Sequence, residues 1–415
     1  MKIRYLYSAC VSIETEDCTV LCDPWFGKAY DGSWVQWPMI DQPIETCGPT
    51  DYVYISHIHP DHYDPAFLQQ YLARYPKARV LIAQQTPPLL EHKLLARGID
   101  PIRGSILIGT TTLRTVPNLA NVGMNIDSAL RVSCGEHSVV NLNDNPYDQG
   151  QIDELLQHGP PTVALLPFVG AGPWPQCYAF DTPEEQQKAA EAKKQKYLDL
   201  FSRYCHALQP KIAVTFAGQY ALYRENLDLN PLRGMADAVE CRKLHERVWV
   251  PADGGQSVLD VGTLEWNTER TQAYDWPTMR ADLMKMGDVL YRYEREIHVP
   301  IARLPLLKLL QTAAAKAQPW FRDRPEMWLA IKTQQHDGWL EVCTRGGGVK
   351  LVDRCEWTPR VEVTLDARYL FGMLTRLYNA NSVRIGSLCQ FKCVPNVYDK
   401  ATDDLFGEFW DSLRV

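Results

Sequence analysis

The stretch SHIHPDHYD, residues 56–64, carries three histidines and two aspartates within nine positions. Four of these residues, His57, His59, Asp61 and His62, form the pattern H-x-H-x-D-H. Imidazole and carboxylate groups together are ligands for zinc, iron or manganese. The alternative is a hydrogen-bonded polar turn, but the density of ligating side chains favours a metal site.

A strand must position these residues, and the run DYVYISHIHPDH predicts one that ends at the histidines. Side chains at i and i+2 of a strand share a face, so His57 and His59 are predicted to point the same way. Pro60 then ends the strand and places the last two ligands on the following turn. Two neighbouring ions would need a bridging anion, and Asp144 in VVNLNDNPYD is the best candidate, because it follows a second strand. The alternative is that Asp144 caps a turn. Asp61 and Asp144 are the candidate catalytic carboxylates.

The composition of the chain is that of an ordinary globular protein, with 415 residues, 46% hydrophobic and 22% charged. A net charge of -7 disfavours a general nucleic-acid binder. No apolar run reaches the length of a membrane span, and the N-terminus does not resemble a signal peptide. The twelve cysteines are scattered, which favours buried thiols in a reducing compartment. We therefore expect a cytoplasmic protein without a membrane or nucleic-acid partner.

Strand-rich blocks alternate with helical patterns up to about residue 265, which predicts two sheets between outer layers of helices, an αββα arrangement in the α/β (α+β) class. The clearest helix begins near Thr182, which fits an N-cap, with Pro183 at the first helical position. After about residue 265 the sequence predicts amphipathic helices, followed by strands with one helix. We predict a metal-binding domain over residues 1–265 and a smaller α+β domain over residues 266–415.

The metal motif and the strand-end aspartate resemble the metallo-β-lactamase superfamily. Asp23 lies in LCDPWF at the predicted end of a strand. In this feature the chain resembles the UlaG-like and phospholipase-D-like branch of that superfamily. The segments DPWFGKAY, FVGAGPWPQCY and TFAGQY and the C-terminal GSLCQFKCVPNVYDKATDDLFGEFW resemble the non-Rieske part of the CMP-N-acetylneuraminate hydroxylase family. The resemblance implies a four-layer αββα sandwich. It also implies that His57 and His59 serve one metal, that Asp61 and His62 serve a second, and that Asp144 bridges them.

Two features depart from the superfamily pattern. Most members have a third histidine before the bridging aspartate, but TVPNLANVGMNIDSA contains none, and Gln219 stands where a late histidine is expected. Asn118, Asn121, Gln219 or water are the candidate substitutes. A site with few imidazoles is a poor match to a dizinc hydrolase and fits the open coordination positions of a nonheme iron oxygenase better.

Two loops are candidates for the substrate pocket. The aromatic loop supplies Trp25, Trp34 and Trp37, which either wall a pocket with Asn121 and Gln219 or pack against the second domain. The loop FVGAGPWPQCYAF is rich in Gly and Pro, and its backbone amides are predicted to be available to an anion.

Three functions remain open from the sequence. The first is an oxygenase with one or two irons that oxidises a small polar substrate. The second is a zinc or manganese hydrolase acting on a phosphoester, lactone or amide. The third is a non-catalytic binding protein. The C-x-H and C-x-x-H motifs of a Rieske cluster do not occur together, so an oxygenase would take electrons from a separate protein, a small reductant or the substrate.

Overall fold

The computed structural model describes residues 1–120, 124–286 and 289–415. Its strands are β1 (Lys2–Tyr7), β2 (Cys10–Glu14), β3 (Thr19–Cys22), β4 (Trp34–Val35), β5 (Tyr52–Tyr54), β6 (Arg79–Ile82), β7 (Ile102–Arg103), β8 (Ile106–Ile108), β9 (Thr111–Pro117), β10 (Ser128–Cys134), β11 (His137–Asn141), β12 (Val163–Pro167), β13 (Ile212–Phe216), β14 (Ala221–Leu222), β15 (Val248–Trp249), β16 (Ser257–Asp260), β17 (Glu265–Trp266), β18 (Trp328–Lys332), β19 (Trp339–Cys343), β20 (Gly346–Val352), β21 (Arg360–Leu365) and β22 (Cys389–Val394). Its α-helices are α1 (Pro43–Cys47), α2 (Pro65–Arg74), α3 (Leu89–Leu95), α4 (Gln149–Leu155), α5 (Pro183–Leu208), α6 (Trp276–Lys285), α7 (Arg292–Glu296), α8 (Leu306–Ala317), α9 (Ala367–Leu374), α10 (Ala380–Ile385) and α11 (Lys400–Ser412).

Two large sheets form the N-terminal part of the described chain. The strand order is β17-β16-β1-β2-β3-β5-β6-β7 in the first sheet and β15-β13-β12-β11-β10-β9-β8 in the second. Strands β3, β5, β6 and β7 run parallel, and so do β11, β12, β13 and β15. The loops that follow these parallel strands therefore meet at one edge of each sheet, where ligand sites of open α/β sheets are usually found.

The two sheets face each other across a hydrophobic core, in which Val20 of the first sheet belongs to the same cluster as Val132 and Val214 of the second. On the outer face of the first sheet α2 and α3 pack through residues such as Leu68. On the outer face of the second sheet α4 and α5 pack through residues such as Phe201. This layering buries both faces of each sheet, and it confirms the predicted αββα sandwich.

The C-terminal part contains a five-stranded sheet of order β20-β19-β18-β21-β22 within the described residues. Its core includes α8 and α9, and the same cluster contains Val35, Tyr178 and Leu227 from the N-terminal part. The two parts therefore share one hydrophobic core. The boundary at 265/266 stays a prediction, and β17 (Glu265–Trp266), which pairs with β16, lies across it.

One predicted helix is present in the structure, and one predicted strand is shorter than expected. The predicted long helix is present as α5, and the Thr182 side chain accepts the backbone N–H of Glu185. The strand that was expected to reach the histidines is shorter, because β5 ends at Tyr54 and both His57 and His59 lie on the loop after it. Over the described ranges, we find no helix with the length and apolar character that a membrane span requires.

Candidate metal centre

The loops after β3, β5 and β11 bring the candidate ligands together from both sheets. Asp23 follows β3, the histidine loop follows β5, and Asp144 follows β11. Backbone bonds from the N–H groups of His62 and Tyr63 to the carbonyl of His59 close the histidine loop into a tight turn. This turn, rather than strand alternation, directs the histidines to one point.

The three imidazoles of this loop form a buried cluster. His57 is fully buried, and its Nε2 lies 2.7 Å from Nδ1 of His59. The ring centroid of His57 is 4.5 Å from that of His59 and 4.1 Å from that of His62. Two ring nitrogens this close are either hydrogen-bonded or directed to one shared cation.

Asp144 reaches this cluster from the opposite sheet. Its Oδ1 lies 3.3 Å from Nε2 of His62 and 3.8 Å from Nε2 of His57. This oxygen is buried, and no donor of the described chain meets it in hydrogen-bonding geometry. The side chain as a whole is 30% exposed and lines a cavity. Asp144 therefore faces two imidazoles and an open space at once, as a bridging ligand must.

Asp127 completes a second set of ligands, and sequence reasoning missed it. Its Oδ1 lies 3.8 Å from Nε2 of His57, and the ligand atoms of His57, His59 and Asp127 all lie within 4.8 Å of one another. The Gln85 amide holds this region in place by bonding the carbonyls of both Ser56 and Ile126. The sequence signal for this ligand is an aspartate directly before the apolar run SALRVSC.

The Asp23 carboxylate holds the histidine loop in position through hydrogen bonds. Its Oδ1 accepts the backbone N–H of Ser56 at 2.7 Å, and its Oδ2 accepts the Ser56 hydroxyl at 2.6 Å and Nδ1–H of His62 at 2.9 Å. Ser56 Oγ lies 2.9 Å from Nδ1 of His57 and can accept its proton. Both histidines therefore direct Nε2 toward the centre, an arrangement typical of carboxylate-supported metal ligands.

Asp61 lies at the edge of the cluster. Its Oδ2 is 3.7 Å from Nε2 of His62, and its Oδ1 accepts the Tyr30 hydroxyl at 2.9 Å. Asp61 is thus held beside His62 and Asp144. Its role as a ligand of a second ion stays a prediction.

The electrostatics of the centre fit a bound cation. Burial, followed by the neighbouring His57, lowers the pKa of His59 to about 3. Burial also raises the pKa of Asp61 and Asp127. Burial opposes protonation of His62, but Asp144 and Asp61 outweigh it and hold the pKa of His62 well above its usual value.

Four carboxylates, those of Asp23, Asp61, Asp127 and Asp144, converge here. Across the described ranges none of them has a Lys or Arg partner, and histidines are the basic groups that face them. The negative charge of several carboxylates in a buried site requires a compensating positive charge. Together with the orphaned Oδ1 of Asp144, it makes the donor set suitable for one or two divalent metal ions.

The predicted pocket residues fall in different places. Trp34 and Gln219 line a cavity of about 160 Å³ beside Asp144, and the Gln219 amide donates to the carbonyl of Trp37. Trp25 is buried against Tyr7, and Trp37 packs in the core shared with the C-terminal part.

The amide substitutes are less available as ligands. The Asn118 amide nitrogen donates to the carbonyl of Pro146 and to the Gln151 side chain. Asn121 lies outside the described residues. Within the described chain, Asp127 therefore offers a carboxylate 3.8 Å from Nε2 of His57, whereas the side-chain amides of Asn118 and Gln219 donate to backbone carbonyls.

Comparisons with known proteins identify the family of this chain. A family model described as a beta-lactamase superfamily domain matches residues 2–214, just over half of the chain. A protein of Mycolicibacterium smegmatis named "Putative Rieske 2Fe-2S iron-sulfur protein" is 30% identical over 253 residues, covering 56% of this chain and 47% of the relative. The cytidine monophosphate-N-acetylneuraminic acid hydroxylase of Mus musculus is 26% identical over 287 residues, covering 64% of this chain and 48% of the relative.

Among solved structures, an isothiocyanate hydrolase from Delia radicum gut bacteria aligns with a TM-score of 0.41 and 16% identity, over 63% of this chain and 99% of that one. The chain spans about half the length of the curated relatives it matches. The match over residues 2–214, the two facing sheets and the histidine loop at their edge lead to one conclusion: this chain belongs to the beta-lactamase superfamily.

Proposed function

We propose that the protein is an iron-dependent oxygenase that oxidises a small polar substrate. The observation that carries this proposal is the ligand set His57–His59–Asp127, with two imidazoles and one carboxylate. Two histidines and one carboxylate are the set with which nonheme oxygenases hold Fe(II) while they leave coordination positions open. In this proposal the carboxylate of Asp127 would take the place of the third imidazole of a three-histidine zinc site, although two histidines and a carboxylate also hold zinc in some enzymes.

The residues around the centre have distinct roles in this proposal. His57, His59 and Asp127 would hold one iron, and His62, Asp144 and Asp61 would hold a second. Bound iron supplies the capacity to activate dioxygen. Asp23 and Ser56 hold the ligand nitrogens in orientation, and Tyr30 holds the carboxylate of Asp61. The cavity beside Asp144 receives the substrate.

The names of the relatives support this reading. The Mus musculus relative is named a hydroxylase, and the Mycolicibacterium relative is named for an iron-sulfur cluster. The chain covers only about half of each relative. A hydroxylase activity and an iron-sulfur electron source are therefore proposed for this chain. We propose that electrons reach the centre from a separate donor protein, with a small reductant or the substrate as the alternatives.

A zinc or manganese hydrolase is the second candidate. The observation that favours it is the position of Asp144, whose Oδ1 faces both His62 and His57, as expected of a carboxylate between two ions. Paired ions polarise a phosphoester, lactone or amide for attack by water, without any need for oxygen.

Reconstitution without air separates these candidates. Metal-free protein is loaded anaerobically with Fe(II) or Zn(II) and then exposed to air with ascorbate, while absorption and dissolved oxygen are recorded. We expect the iron-loaded protein to develop a new absorption band and to consume oxygen, and a variant with both His57→Ala and Asp144→Ala to do neither. Oxygen uptake no greater than that of this double variant, together with oxygen-independent hydrolysis by the zinc form, would exclude the oxygenase.

A further inference from the structure

Two groups of residues line the cavity beside the metal centre. We call the part lined by Asp61 and Asp144 the metal end, and the part lined by residues 169–171 and Tyr220 the loop end. Its volume is about 160 Å³. Cavities of about 150 Å³ hold one benzene-sized molecule, so the space inside this cavity suits a small substrate or one small group of a substrate.

The loop end offers unused hydrogen-bond donors. In the described part of the chain, the backbone N–H groups of the half-buried Gly170 and the exposed Ala171 bond to no backbone carbonyl. A Cβ on Gly170 would lie 1.8 Å from Cζ of Tyr197, so the loop packs closely on α5 only because a glycine is present. Successive free N–H groups in a turn form a concavity that binds anions.

Two cations without an acidic partner bond to residues near this loop: one to the carbonyl of Trp174, three residues after Ala171, and one to the carbonyl of Tyr220, which lines the cavity. Lys193 Nζ donates to the carbonyl of Trp174 at 2.7 Å. Arg233 is only 7% exposed, donates to the carbonyl of Tyr220 at 2.8 Å, and lies over the Tyr220 ring at 4.3 Å. Within the described ranges neither cation forms an ion pair, whereas Arg224 and several other arginines are paired with carboxylates.

The two cations also influence each other. Burial, followed by the neighbouring Arg233, lowers the pKa of Lys193 to about 7. A Cβ on Gly234, the residue after Arg233, would approach Cβ of Lys193 to 3.0 Å, so the two chain segments are in close contact. Positive charge without a counter-charge is costly at the buried Arg233 and the half-buried Lys193, and an anion in the adjacent cavity would offset it.

We propose that the loop end of the cavity is an oxyanion subsite, formed by the N–H groups of Gly170 and Ala171 and backed by Lys193 and Arg233. The substrate is then a small molecule with one carboxylate or phosphate group at this end and its reacting carbon at the metal end. This inference rests on the proposed function for the reacting end, because the metal ions must offset the negative charge of Asp61 and Asp144.

Calorimetric titration of the full-length, zinc-loaded protein tests the subsite without any turnover. The probes are benzoate, phenyl phosphate and the neutral benzamide. We expect one of the two anions to bind at least about tenfold more tightly than benzamide, and the tighter one identifies the anionic group. Equal binding of both anions and benzamide by the unmodified protein would overturn the proposal without any variant.

The variant Lys193→Gln keeps a donor for the Trp174 carbonyl and removes the charge. We expect it to reduce anion affinity about tenfold, with unchanged benzamide affinity and zinc content. The matched control is Lys194→Gln, because Lys194 pairs with Glu191 and Glu240, and its variant should bind all probes normally. Anion binding that depends on zinc but not on Lys193 would place the anion on the metal and refute the subsite. Failure of the iron-loaded protein to react with oxygen would refute the proposed function and leave these binding results unaffected.

Discussion

The substitution Asp23→Asn tests how the centre is oriented. The Asp23 carboxylate accepts three hydrogen bonds, from the Ser56 backbone, the Ser56 hydroxyl and Nδ1–H of His62. An asparagine has the same shape but only one acceptor oxygen. If that oxygen accepts the Ser56 backbone N–H, the amide NH₂ takes the position of Oδ2 and faces Nδ1 of His62. The opposite orientation would set two N–H donors against each other.

The amide therefore forces Nδ1 of His62 to become an acceptor. The proton moves to Nε2, the nitrogen that faces Asp144 and the metal position, and His62 is lost as a ligand. Loss of a group that orients a metal ligand typically lowers metal affinity 10- to 100-fold, about 1.4–2.7 kcal/mol. We expect a loss of this size for the ion that depends on His62 and a smaller change for the ion at His57, His59 and Asp127.

Competition titrations with a chromophoric chelator measure both affinities, and thermal unfolding of the metal-free proteins checks the fold. Asp51→Asn is the matched control, because exposed Asp51 also accepts a backbone N–H, that of Thr19, in the same sheet. Equal affinities for both ions in the Asp23→Asn variant and the unmodified protein would show that Asp23 does not set the orientation of His62.

Two further predictions concern Asp127 and a buried carboxylate away from the centre. Asp127→His creates a three-imidazole set and should shift the preference from Fe(II) toward Zn(II) in competitive loading, measured by elemental analysis; an unchanged ratio would argue against Asp127 as a ligand. Burial raises the pKa of Asp253 from 3.8 to about 6, although Tyr274 donates a hydrogen bond to it. Between about pH 4 and 6 the folded protein thus binds more protons than the unfolded one, and stability falls as pH rises. Asp253→Asn should therefore be more stable than the unmodified protein at pH 8, by up to about 3 kcal/mol, and nearly equal to it at pH 4; urea unfolding that shows the same difference at both pH values would contradict this.

The sequence predicted the fold and the grouping of the histidines because both depend on local patterns. The H-x-H-x-D-H spacing indicated a cluster of His57, His59 and His62, whereas Asp144 was proposed only because it follows a strand, and it reaches the cluster from the opposite sheet. The exact end of β5 was not predictable, since the apolar alternation continues past Tyr54 although pairing within the sheet stops there.

The remaining features arise from contacts between distant segments. Asp127 joins the histidines because Gln85 ties its loop to Ser56, a bond across 41 residues on one side and 29 on the other. The close approach of the chain segments that carry Lys193 and Arg233 likewise depends on how α5 packs against the segment after β14. No spacing rule in a single sequence reports contacts of this kind.

The most direct test of the central claim is the metal content of untagged protein purified from cells supplied with both iron and zinc. Elemental analysis should find about one or two irons per chain, with an absorption band in air that disappears in a His57→Ala variant. Zinc alone, near two per chain and without absorption in the visible range, would contradict the iron oxygenase and identify the centre as that of a hydrolase.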